Sequence, residues 1–229
     1  MERQLRSSLL AAFFLWFAMF SPWTRNDINF WAVMLSTAVL LGILSFIYGR
    51  DIWHSRTLFW GDMEGMEAFR YWLGQIALGV LIAAVLWGLF WVGDKLSQLI
   101  FPFARDQVNA VYNIKGTWDM QVLWAMLLFV IGPAEEIFWR GYVQERLVRL
   151  FASSDRPRLF CNAPVLAMAA TVLLYTLVHV PSLNFMLIMA ALVCGAAWSV
   201  LYWLRPHWMP ALILSHALWD AAVFIWMPL

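Results

Sequence analysis

QVLWAMLLFVIGPAEEIFWRGYVQERL, running from Gln121 to Leu147, decides how this chain is read. Its first eleven residues contain no charge and are almost wholly apolar, as a membrane helix would be. Two adjacent carboxylates, Glu135 and Glu136, then follow within the same apolar stretch. An ionised group at such a depth is costly. It persists where it is paired, faces a wet cavity or does chemistry. Glu136 and Arg140 stand four apart and share a helical face, so they can pair. Glu135 points about 100° away from that face, which leaves one acid committed to structure and one available. Gly132-Pro133, just before the acids, can kink the helix and free backbone carbonyls. Gly141 permits a close helix contact.

Composition extends this reading to the whole chain. The 229 residues are 63% hydrophobic and 13% charged, against the quarter charged that is usual for a soluble domain. Mean hydropathy is +0.72. A soluble core of this length could not hide so much apolar surface, so lipid must cover it. There are 16 tryptophans. Trp23, Trp31, Trp53, Trp72, Trp91, Trp118 and Trp208 lie near segment ends, as interfacial belts require. A net charge of +1 implies no nucleic-acid surface. No polar stretch is long enough for a second domain. Residues 1–229 are therefore expected to form one membrane-embedded domain, with the chemistry in helices between 120 and 227.

Seven apolar segments are expected, at about 8–22, 28–48, 72–93, 120–142, 163–180, 185–204 and 208–227. A perpendicular span needs about 20 residues, so the first and fifth are short. The fold class is thus all-α, a polytopic bundle of about seven transmembrane helices. The first segment has a basic start, Arg3 and Arg6. Ser21-Pro22-Trp23 is a poor cleavage site, so this segment is read as an uncleaved helix rather than a signal peptide. With the N-terminus cytoplasmic, inside regions hold Arg3, Arg6, Arg50, Arg56, Arg70, Arg146, Arg149, Arg156, Arg158 and Arg205, whereas outside regions hold only Arg25, Lys95, Arg105 and Lys115. That bias sets the orientation and suits the cytoplasmic membrane of a prokaryote. The turn from Arg146 to Arg158 reads as a topology determinant, with binding of a phospholipid or acidic partner as the lesser reading. Gly49–Tyr71 and Asp94–Asp119 read as amphipathic interfacial pieces. Cys161 and Cys194 have no metal-type spacing and are read as free thiols.

Two histidines recur in the later segments. His179 ends YTLVH, with Tyr175 one turn earlier and able to hydrogen-bond the imidazole or pack on it. His216 begins HALWD, and Asp220 at i+4 can fix its tautomer. Ser215 adds a hydroxyl but lies in no GxSxG motif. A general base, two imidazoles and an orienting acid suffice for water attack on an amide, and an imidazole N–H can hold the developing oxyanion. Glu135, His179 and His216 could equally form a two-histidine, one-carboxylate zinc site. Depth sets a constraint. If the fifth helix starts at Ala163 inside, His179 lies toward the outer face and Glu135 nearer mid-membrane. They meet if that helix is tilted, starts deeper or opens to a cavity.

EEIFWR, Glu135 to Arg140, resembles the EExxxR motif of the CAAX prenyl endopeptidase type II and bacteriocin-processing intramembrane protease family. YTLVH resembles its FxxxH motif with Tyr175 in place of Phe, and HALWD its HxxxN/D motif. The resemblance covers about Leu123 to Phe224. It implies an intramembrane glutamate-type endopeptidase that cleaves near the C-terminus of a membrane-associated protein or peptide precursor. Glu135 would be the water-activating residue, supported by Glu136 and Arg140. His179 would be a second water-side residue, and His216 with Asp220 the oxyanion pair. The metal-free scheme gives each residue one task, so no cofactor and no metal ligand are expected; a zinc protease built on the same residues is the alternative. A non-enzymatic scaffold or a proton-coupled transporter is the competing class. Transport predicts internal repeats, and none is evident.

Overall fold

The computed structural model describes residues 2–54, 63–114, 116, 118–153 and 162–226. Among these, every regular element is helical. α1 is Glu2–Phe20, α2 Phe30–Tyr48, α3 Gly65–Ile100, α4 Ala104–Asn113, α5 Met120–Ala152, α6 Ala163–Leu177, α7 Phe185–Leu204 and α8 Met209–Ala221. Six of them, α2, α3 and α5 to α8, are long and apolar enough to cross a membrane. α1 falls short because its first turns carry Glu2, Arg3, Gln4 and Arg6, yet it packs along α2 as a seventh member of the bundle. The chain is a multi-pass membrane protein. Cys161, Arg156 and Arg158 lie outside the described residues.

Local sequence sets the helix starts. Asn29, Asp119, Asn162 and Asn184 each accept a hydrogen bond from a backbone N–H of the following first turn, which satisfies donors the helix cannot. Pro164 and Pro210 sit in first turns, where no donor is needed. Between α6 and α7 the chain turns sharply at Val180-Pro181-Ser182, and Leu183 adopts a left-handed conformation, φ 51°.

Several boundaries differ from the sequence reading. α3 runs for 36 residues, well beyond 72–93 on both sides. Both connections shrink accordingly, and the amphipathic piece of the second is α4 alone. α5 continues to Ala152 rather than stopping near 142. Trp31 was expected at the interface but is buried, and its indole N–H donates to the Ile114 carbonyl. Arg146, read as a topology determinant, is also buried. Its guanidinium pairs with Asp51 at 2.6 Å and donates to the Tyr48 carbonyl, while Arg149 joins the same carboxylate. Partial burial pushes the Asp51 carboxyl up, but hydrogen bonding and attraction from the two arginines outweigh it and hold it below its ordinary value.

The longer α5 removes the depth conflict. Glu135 sits 17 residues before its end at Ala152, and His179 sits 16 residues after the start of α6 at Ala163. Because α5 and α6 pack antiparallel near this end, the two residues come to similar heights. α5 is not uniform. It widens to π geometry over Leu127–Ile131, returns to α over Gly132–Glu136 and widens again over Ile137–Gln144. Pro133 has no N–H to give to the ladder, which favours a disrupted turn just before it. Both acids therefore sit on one α-turn between two wide ones. At Gly132, a Cβ would lie 2.9 Å from the Ala217 backbone. Glycine is what lets α5 and α8 touch backbone to backbone there, bringing Glu136 against His216.

Candidate active site

Glu136 is wholly buried. Its Oε1 accepts from Arg140 Nη1 at 2.7 Å and stands 2.7 Å from His216 Nδ1. Arg140 is also fully buried, and its Nη2 donates to the Gly195 carbonyl at 3.2 Å. Its guanidinium carbon lies 4.7 Å from the Tyr175 ring centre and 5.4 Å from that of Trp198, so two aromatic faces hold the cation. Gly195 makes this possible, since a Cβ there would meet Tyr175 Cδ1 at 2.7 Å.

His216 stacks on Trp198 with ring centres 4.0 Å apart and planes 17° from parallel. The Trp198 indole in turn donates to Ser215 Oγ at 3.0 Å, and Ser215 donates to the Leu212 carbonyl. Asp220 was expected to fix the His216 tautomer. Instead its Oδ2 lies 3.6 Å from Nε2, too long for a hydrogen bond, and Glu136 holds Nδ1. A carboxylate can only accept, so Nδ1 carries a proton. The orienting acid for His216 is Glu136.

Glu135 leans the other way. It lines a cavity of about 550 Å³ shared with Tyr175, His179, His216 and Asp220. Its Oε2 accepts from the Tyr175 hydroxyl at 3.2 Å. The hydroxyl thus serves the carboxylate, while the ring packs on the His179 imidazole with centres 5.0 Å apart, the second of the two contacts the sequence allowed. His179 Nδ1 donates to the Tyr175 backbone carbonyl at 2.8 Å, which leaves Nε2 as an acceptor in the neutral ring. Phe20 and Trp16 of α1 wall the His179 ring at 5.4 and 6.4 Å between centres. The cavity continues past α3, where Asp94 and Ile100 line it, to Val108, Val111 and Tyr112 of α4. α4 is tied to the start of α7 by a reciprocal clasp: Asn184 donates to the Gln107 carbonyl at 2.8 Å, and Met186 N–H donates to Gln107 Oε1 at 3.1 Å.

All six expected site residues therefore converge from α5, from the C-terminal end of α6 and from α8. Glu135, His179, His216 and Asp220 face the cavity, and Glu136 and Arg140 sit behind it. Sequence reasoning missed α7, which supplies Trp198 and the Gly195 carbonyl. The available signal was a tryptophan in mid-segment, within CGAAWS, far from any interface. It also missed the wall from α1. Cys194 is a buried free thiol on the same cavity. Among the described residues, no group of three or more His, Cys, Asp or Glu side chains is arranged to hold a metal ion.

No curated protein and no solved structure matches the chain significantly. Residues 117–222 match the family model described as type II CAAX prenyl endopeptidase Rce1-like. That segment holds α5, α6, α7 and α8, and with them every residue named at the site except the α1 wall, the far cavity lining and Gln107. Over this stretch, the chain is similar to the Rce1-like type II CAAX prenyl endopeptidases.

Proposed function

We propose that this protein is an intramembrane endopeptidase of glutamate type, hydrolysing a peptide bond near the C-terminus of a membrane-associated protein or peptide precursor. One observation carries the reading: of two adjacent buried acids, Glu136 is held through its Oε1 by both Arg140 and His216, while Glu135 lines the cavity. Water between Glu135 and His179 Nε2 gives a proton to Glu135, and its oxygen bonds to the substrate carbonyl carbon. The carbonyl becomes an oxyanion. His216, set between Glu136 and Asp220, donates to that oxyanion from Nε2 as an imidazolium protonated on both nitrogens. The second proton is needed because Nδ1–H is committed to Glu136, and a neutral ring would then have no N–H at Nε2. The C–N bond then breaks, and the leaving nitrogen takes the proton from Glu135. The products are an acid and an amine, and the site is restored.

The apolar lining favours a substrate that brings an apolar segment or lipid anchor into the cavity. The charge bias supports an orientation with the basic turn on the cytoplasmic side, and the reading locates the enzyme in the cytoplasmic membrane of a prokaryote. A zinc protease using Glu135, His179 and His216 would have to bring these three groups together around one ion. The test uses purified protein in phospholipid vesicles with peptides bearing a C-terminal apolar or prenylated anchor, read by mass spectrometry. The expected result is a pair of products split at one bond near the anchor, absent from empty vesicles. Intact peptides throughout would overturn the peptidase reading.

A further inference from the structure

We infer that the Tyr175 hydroxyl is a positioning group for the Glu135 carboxylate, a device this chain adds to its reaction centre. The inference rests on Glu135 being the water-activating acid. Where the resembling motif carries phenylalanine, this sequence has tyrosine, so the ring has a structural task and the hydroxyl an additional one. The ring is fixed on several sides. Gly195 leaves it room and no more, Arg140 lies over its face at 4.7 Å, and Trp139 meets it edge-on with centres 5.5 Å apart. Confining the ring fixes the position of the phenol oxygen, 3.2 Å from Glu135 Oε2, to which its O–H donates.

A glutamate side chain has three rotatable bonds, and an unrestrained carboxylate would sample several directions at the cavity wall. Holding one oxygen leaves the other as the acceptor for water. A misplacement of this kind costs rate rather than substrate binding. The charged and titratable neighbours of this pair are Glu136 and Arg140 on α5, His179 on α6, Cys194 on α7, and His216 and Asp220 on α8, with Asp94 of α3 further along the cavity. None of the hydrogen bonds described above for these groups takes up the Tyr175 hydroxyl.

Tyr175→Phe removes the hydroxyl and keeps the ring. In the vesicle assay, kcat falls about tenfold, the size expected for one hydrogen bond to a charged group, while KM and thermal stability stay unchanged. Glu135→Asp draws the carboxylate back from the hydroxyl. In that background Tyr175→Phe causes no further loss, because the pair is already uncoupled. The inference is overturned by an unchanged kcat in Tyr175→Phe, by the same tenfold loss in both backgrounds, or by a loss that follows the fraction of unfolded protein. Full activity in Glu135→Gln would instead overturn the parent reading, so the two failures are distinct.

Discussion

Arg140→Met destabilises the folded bundle by about 3–5 kcal/mol, as removal of one partner from a buried ion pair does. The substitution fills similar space but strands Glu136, whose only other hydrogen-bonding neighbour among the described groups is His216. It also frees the Gly195 carbonyl and empties the slot between Tyr175 and Trp198. Arg140 therefore links three helices, α5, α6 and α7, around one cation. Glu136→Gln in the same chain relieves the stranded charge, so the double variant loses less than the sum of the two single losses. Denaturant titration of detergent-solubilised protein, followed by tryptophan fluorescence, checks both statements. Additive losses would mean that the two groups act separately.

Glu135→Gln should leave the fold intact and lower cleavage by a factor of about 10²–10⁴, the usual contribution of a general base. Glutamine matches glutamate in size, and its carbonyl oxygen can still accept from Tyr175, so the packing of α5 on α6 survives. What it cannot do is take a proton from water. The contrast with Arg140→Met is the useful one: Glu136, paired with Arg140 one turn on, serves the fold, while the neighbouring Glu135 serves the chemistry. A membrane scaffold would show the reverse pattern, tolerating change at Glu135 while still requiring Glu136 and Arg140. Yield and activity measured on the same preparations separate these cases.

Much of this division was legible in the sequence. The spacing of Glu136 and Arg140 gives their pairing directly, because i and i+4 share a helical face. The offset of Glu135 from that face gives its exposure to the cavity. Apolar run length gave the membrane class and most of the spans. Other features lay beyond periodicity. The end of α5 was misplaced because Arg146 looked like an interfacial charge, whereas Asp51 and the Tyr48 carbonyl bury it in a tertiary contact. That error produced the apparent mismatch in depth between Glu135 and His179. The orienting partner of His216 was assigned to Asp220 because i+4 spacing is visible within one helix. Glu136 reaches His216 only through the Gly132–Ala217 contact between helices. Trp198 and Gly195 carry no charge, so a search for reactive side chains passed over α7.

The central claim is that Glu135 activates a water molecule. A single turnover in ¹⁸O-labelled water, with enzyme in excess over peptide, tests it directly. The new C-terminal carboxylate of the product is analysed by mass spectrometry. Water attack predicts one ¹⁸O atom in that carboxylate from the first turnover, and no label in Glu135. A first-turnover product without label, its oxygen drawn from the Glu135 carboxylate, would contradict the account and make Glu135 a covalent nucleophile.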